Sequence, residues 1–218
     1  MTIRSTGGRV AAFAWLAFAA LNIADLVFGF TGDPEYSLMT FTIAALLLLG
    51  CGIAYTIGLR PAIVGDDEAV TVRNPLRDTR VPWRAVRSIE GKDALVVRFT
   101  GPDGGDLQTR AWVHQTSPRA QAKAEARARK QNAKLGAQVK GRSPAGYAAE
   151  QLNEMRDRLR AKTRSGAPDK AAEAKAAEAK AEEAEPARGT VAWSIPAVAA
   201  LAVPGVAVVA CLILAAVS

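Results

Sequence analysis

Residues able to do chemistry are few in this 218-residue chain, and they are scattered. The single histidine, His114, stands three residues before Ser117. A nucleophile and base in that arrangement need an acid to orient the imidazole and an oxyanion hole, and nothing nearby provides either. Gly101-Pro102-Asp103-Gly104-Gly105 lacks the Lys-Ser/Thr that follows a phosphate-binding loop, so it predicts a hairpin. Asp66, Asp67 and Glu68 lack the spacing and glycine of a calcium loop and predict a turn. Cys51 and Cys211 both lie in apolar blocks, which excludes a disulfide framework and any cysteine-rich metal spacing. Trp83 and Trp112 could stack on a base, but at strand positions they are expected in a core. Asp25 is the one formal charge inside an apolar block, with Asn22 three residues earlier on the same helical face. Such a carboxylate is a candidate for ion or proton movement. No second intramembrane acid or base accompanies it, and it lies about 8 Å of helical rise from the end of its block. Its expected role is structural, with a transporter or membrane-enzyme component as the minor alternative. The expectation is a protein that is not an enzyme, with no catalytic, cofactor-binding or metal-binding residues.

The elements that would position any site follow from the hydropathy. Residues 10–30 form a first apolar block long enough to cross a hydrocarbon core of about 30 Å. The segment 31–37, Thr-Gly-Asp-Pro-Glu-Tyr-Ser, reads as an outer turn. Residues 38–59 form the second span and residues 191–217 the third, with Pro196 and Pro204 expected to kink it. Arg4 and Arg9 in the 1–9 N-terminus, Arg60 after the second span, and the absence of Lys or Arg from the hairpin tip place those basic ends in the cytoplasm. The C-terminus is then expected outside, and the location is expected to be the cell membrane.

Past Arg60 the pattern changes from continuous to alternating. Ala62–Val64, Val70–Arg73, Thr79–Trp83, Leu95–Phe99 and Leu107–Val113 predict short strands. Pro82 puts its strand at an edge or strand end. Val86 and Ile89 sit at helical or irregular spacing. Ser117-Pro118 predicts the start of a helix running to about Lys134, a hydroxyl cap followed by proline at the first helical position. Val70-Thr71-Val72-Arg73-Asn74-Pro75-Leu76, followed by Arg80-Val81-Pro82-Trp83 and the apolar pair Val86 and Ile89, resembles the bacterial pleckstrin-homology-like domain of the low-molecular-weight protein antigen 6 type. The resemblance covers about a quarter of the chain. It implies a bent sheet of about seven strands capped by a helix, commonly placed just after a transmembrane hairpin, and it implies binding or scaffolding. The expected fold class is therefore a membrane protein of α+β type. It has a transmembrane helical hairpin, a PH-like curled sheet capped by a helix over residues 60–135, a basic and then Ala/Glu/Lys-rich helical linker over 136–190, and a C-terminal transmembrane helix.

Charge narrows the partners. Residues 60–164 hold 22 Lys and Arg against 12 Asp and Glu, so the formal +7 of the chain is concentrated between the second and third spans. The surface expected to meet a partner or lipid comprises Arg73, Arg77, Arg80, Arg84, Arg87, Arg119, Lys123 and Arg127. In the linker, Leu152, Met155 and Leu159 give only a narrow apolar stripe, which predicts a solvated helix. The repeat Ala172-Glu173-Ala174-Lys175-Ala176 and Ala177-Glu178-Ala179-Lys180-Ala181 predicts a semi-rigid helical stalk. A protein partner is the leading expectation and anionic lipid headgroups the alternative. Nucleic acid is disfavoured, because the basic stretch lacks interleaved aromatics and a recognition fold.

Overall fold

A computed structural model of the chain describes residues 1–32, 36–91, 94–114, 144–165 and 187–217. In chain order the elements are β1 (Thr2–Arg4), α1 (Thr6–Phe28), α2 (Leu38–Ile53, continued by a π-helical turn over Ala54–Leu59), β2 (Ala62–Gly65), β3 (Ala69–Arg73), β4 (Arg77–Pro82), β5 (Val86–Gly91), β6 (Leu95–Thr100), β7 (Asp106–Arg110), α3 (Pro144–Ser165), β8 (Thr190–Trp193) and α4 (Ile195–Val217). They form two compact units. One comprises Met1–Ile3, Ala62–Val72 and Thr79–Val191; the other comprises Arg4–Pro61, Arg73–Asp78 and Ala192–Ser218.

Three helices of the second unit are long and apolar enough to cross a membrane: Thr6–Phe28, Leu38–Leu59 and Ile195–Val217. Ser5 caps α1 by accepting from the Gly8 amide, and Ser37 caps α2 by accepting from the Thr40 amide. Gly29 ends α1 in the left-handed region at φ 65°, its N–H donating to the Asp25 carbonyl. The side chains of Phe13, Phe18, Leu21, Ile43, Leu48, Val203, Val206 and Leu212 are exposed, as lipid-facing residues must be. Between helices the contacts run through small residues. A Cβ at Gly52 would overlap the Ala200 carbonyl, and one at Gly58 would overlap Ala12. Close backbone approach of this kind replaces the hydrophobic drive that lipid removes. Pro196 lies in the first turn of α4 and Pro204 inside it, and the helix runs through both.

The strands of the middle of the chain, joined by β1 and β8 from its two ends, form two sheets, of strand order β1-β2-β3-β4-β8 and β5-β6-β7. Their inward residues make one core, including Ile63, Val70, Val72, Val81, Trp83, Leu95, Val97 and Phe99. This is the expected α+β membrane architecture with an antiparallel sheet domain. Some details differ from the periodicity. Val86 and Ile89 belong to a strand, β5, and both point inward although three residues apart. The register against β6 shifts between Val86 and Ser88, so a bulge resets the alternation. The strand expected to reach Val113 stops at Arg110, where a 3₁₀ turn over Trp112–His114 takes over. Pro82 is the last residue of β4, at a strand end as expected, with β4 itself interior to its sheet.

The helix expected over 117–134 and the Ala/Glu/Lys repeat lie outside the described residues. The helix seen against the sheet is α3, in the stretch expected as linker. Ala145, Ala148, Ala149 and Leu152 are buried at i, i+3, i+4 and i+7. The expectation of a solvated helix is thus corrected. Counting only Leu152, Met155 and Leu159 missed the alanines, which let α3 approach closely enough that a Cβ at Gly91 would overlap the Ala145 carbonyl.

Candidate functional site

The turns that offered candidate chemistry are closed by hydrogen bonds within themselves. The Asp66 carboxylate accepts from the amides of Glu68 and Ala69, closing the turn between β2 and β3. In the loop between β6 and β7, Gly101 N–H donates to Gly105 O and Gly104 takes the left-handed conformation at φ 78°. Trp83 is a core residue whose indole N–H donates to the Asp66 carbonyl at 2.8 Å. Trp112 sits half-exposed in the 3₁₀ turn, away from the core position expected of it. Both Asp25 carboxylate oxygens accept from Thr31, one from its amide at 2.9 Å and one from its hydroxyl at 2.8 Å. The Asn22 amide donates to the Phe18 carbonyl. Asp25 therefore ties off the end of α1. Among the described residues no group of three His, Cys, Asp or Glu side chains is placed to hold a metal ion.

The arginines predicted as a surface fall into three sets. Arg80 pairs with Glu68 at 2.9 Å and with Asp66 at 3.7 Å, and Arg87 pairs with Asp106 at 2.6 Å. Arg84 also has a partner. Arg119, Lys123 and Arg127 lie outside the described residues. Arg73 and Arg77 remain, both exposed and neither joined to a carboxylate among the described residues.

Those two flank one tight turn, which belongs to the same compact unit as the three spans. Asn74 N–H donates to Arg77 O at 2.8 Å, leaving Pro75 and Leu76 as the two-residue connection. Leu76 O accepts from Ser194 N–H at 2.9 Å, where α4 begins. The Arg77 guanidinium lies over the Trp193 ring, 4.4 Å from its centroid. Beneath the turn, Arg60 donates to the Asn74 carbonyl and to Asp78 Oδ2, the latter at 2.6 Å. The π-helical turn, closed by Arg60 N–H to Tyr55 O at 2.9 Å, sets the direction of that side chain. Sequence reasoning singled out Arg73 and Arg77 by charge and used Arg60 only as a basic flank of the second span; it gave no role to Asp78 or to the Arg77–Trp193 stack. The one available signal was the position of Trp193 at the start of the third apolar block.

Residues 60–131 match the family model for the bacterial PH domain. Over that segment the chain is similar to the bacterial PH domain. No curated protein and no solved structure matches the chain. The match ends before α3, so the PH domain as folded draws its covering helix, and the strands β1 and β8, from outside the matched segment.

Proposed function

We propose that the protein is a non-enzymatic, membrane-anchored interaction module that presents its PH domain at the cytoplasmic face of the cell membrane and binds a protein partner there. PH-type domains bind proteins or lipids and are generally not enzymes, and here three membrane-capable helices accompany the domain. The orientation rests on charge. Arg4, Arg9 and Arg60 flank the spans on the domain's side of the sequence, and residues 31–37 hold no Lys or Arg.

The observation that carries the partner reading is an asymmetry between the edges of the β5-β6-β7 sheet. The β5 edge is covered by α3, with the Asn153 amide donating to the Ile89 carbonyl. The β7 edge has no neighbouring strand among the described residues, and Leu107 and Gln108 on it are exposed. An open edge with an exposed apolar side chain accepts an extended peptide as an added strand.

Two measurements test this reading. A photo-crosslinking residue at Gln108 of the full chain should give one discrete protein adduct in cells, and absence of any adduct there would remove the support for a partner at β7. In a Cys51→Ala/Cys211→Ala background, Tyr36→Cys should react with a membrane-impermeant thiol reagent on intact cells and Gln108→Cys should not. The reverse pattern would overturn the cytoplasmic assignment.

A further inference from the structure

We propose that the third span, α4, pivots on α2 at the contact between Ala200 and Gly52, and that this pivot carries changes in bilayer thickness to the turn between β3 and β4. The device needs no partner at β7.

The pivot combines a break in one helix with a glycine in the other. Pro204 has no N–H, so the Ala200 carbonyl four residues earlier in α4 lacks its helical donor. That carbonyl lies against Gly52, where a Cβ would overlap it. The hydrogen that glycine carries in place of a Cβ makes a Cα–H···O contact there. Thr56, 1% exposed, closes the backbone of α2 beside the pivot. Its hydroxyl donates to Gly52 O at 2.9 Å and to Ile53 O at 3.1 Å, where the π-helical turn begins.

One close contact permits rotation where two would not. Trp15 packs on Gly50 and Ala12 on Gly58, so α1 and α2 are joined at two glycines. Those glycines are eight residues apart, about 12 Å of helical rise, which makes the hairpin a fixed base. Between α4 and α2, Gly52 is the only such contact among the described residues. Packing of α4 also fades away from it. Ala197 is buried, Ala200, Pro204, Val208 and Cys211 are half-buried, and every residue from Leu212 to Val217 is exposed.

The arms on either side are unequal. From Ala200 the helix runs six residues back to Ser194, about 9 Å, and 17 residues on to Val217, about 25 Å. The short arm ends on the turn: Ser194 N–H donates to Leu76 O at 2.9 Å, and Trp193 carries the Arg77 guanidinium 4.4 Å from its ring centroid. The 23 residues of α4 span about 34 Å against a hydrocarbon core of about 30 Å, so the helix tilts, and tilts further as the bilayer thins. About a single contact, added tilt opens both ends of the α2–α4 crossing in proportion to their distance from it.

The test uses the full chain in a Cys51→Ala/Cys211→Ala background, in nanodiscs of dierucoyl, dioleoyl or dimyristoleoyl phosphatidylcholine, and reads distances between spin labels. Met39→Cys with Ile213→Cys places both labels 13 residues from the contact, about 20 Å away. Ile57→Cys with Ile195→Cys places both five residues from it, about 7.5 Å away. All four positions are exposed. On passing from the longest to the shortest acyl chains both distances should lengthen, the far pair about two- to threefold more than the near pair, as the arms dictate. A third pair, Ile57→Cys with Arg73→Cys, should change together with the near pair. Gly205→Ala, whose Cβ meets nothing within 4 Å, should respond as the parent chain does, and Gly52→Ala should abolish the graded response. Constant distances would overturn the proposal, as would equal changes in the far and near pairs, which would mean sliding. A change confined to the far pair would reduce the motion to a bend at Pro204, and a constant third pair would show that the turn receives nothing; either result overturns it as well.

Discussion

Arg60 shows how much one side chain can organise in this molecule. Its side chain is 7% exposed and joins the end of the second span to the Asn74 carbonyl and the Asp78 carboxylate. The other Asp78 oxygen, Oδ1, is buried with no hydrogen-bond partner among the described residues, so Arg60 is the donor to that carboxylate among them. Removing Arg60 would take the charged partner from the Asp78 carboxylate and one donor from the Asn74 carbonyl. Arg60→Ala should destabilise the chain by about 1–3 kcal/mol, read as a lowered thermal unfolding midpoint of the full chain in detergent. Asp78→Asn should cost about 1 kcal/mol or less, because the Asp78 side chain is 38% exposed and solvent screens the pair. Equal stability of wild type and Arg60→Ala would mean that the pair does not hold the turn. Nothing in the sequence linked Arg60 to Asp78, since charge pairing across 18 positions depends on where the fold returns the chain. Asp25 is the opposite case. It lies inside an apolar block, and both of its carboxylate oxygens accept from Thr31, six residues further on.

At the scale of elements, α3 is the piece on which the core depends. Leu152 is fully buried and takes part in the same cluster as Val97 and Phe99. Leu152→Ala should therefore destabilise by about 2–5 kcal/mol. Tyr147→Ala, at a position 56% exposed on the same helix, should stay within about 0.5 kcal/mol or little beyond. Comparable effects from the two, measured by denaturant unfolding of the full chain, would contradict the packing of α3 on the sheet. The strands of this core were mostly readable from their alternation. β5 was not, because a bulge displaces its inward residues from strict period two. The helix was misjudged for a different reason: alanine contributes little to an apolar stripe when side chains are weighed by size, yet small side chains opposite Gly91 are what permit the closest contact.

For the whole molecule, the consequence is a domain assembled from separated pieces of chain. Met1 and Gly65 exchange hydrogen bonds of 2.7 and 2.9 Å, Gly189 N–H donates to Thr100 O, and α3 covers the core. The segment that matches the PH family lacks all of these. A fragment of residues 60–131 should fail to fold, whereas one of residues 60–165 should gain cooperative thermal unfolding by circular dichroism. A fully cooperative 60–131 fragment would show that α3 is dispensable. This discontinuity also links the membrane segments to the domain covalently at both ends, since β1 precedes the first span directly and β8 precedes the last.

Continuous apolar runs and their charged flanks determined, from the residues alone, that the chain has three membrane-capable helices. The alternating stretch between them determined a small sheet domain, and the resemblance of its residues 70–76 and 80–83 to the bacterial PH domain implied its type. Both signals are local, because hydropathy and side-chain period are properties of neighbouring residues. Which arginines stay unpaired, which helix covers the core, and which distant strands extend the sheet were decided only in three dimensions. Each of those outcomes depends on contacts between residues far apart in the chain, and such contacts leave no period in the sequence.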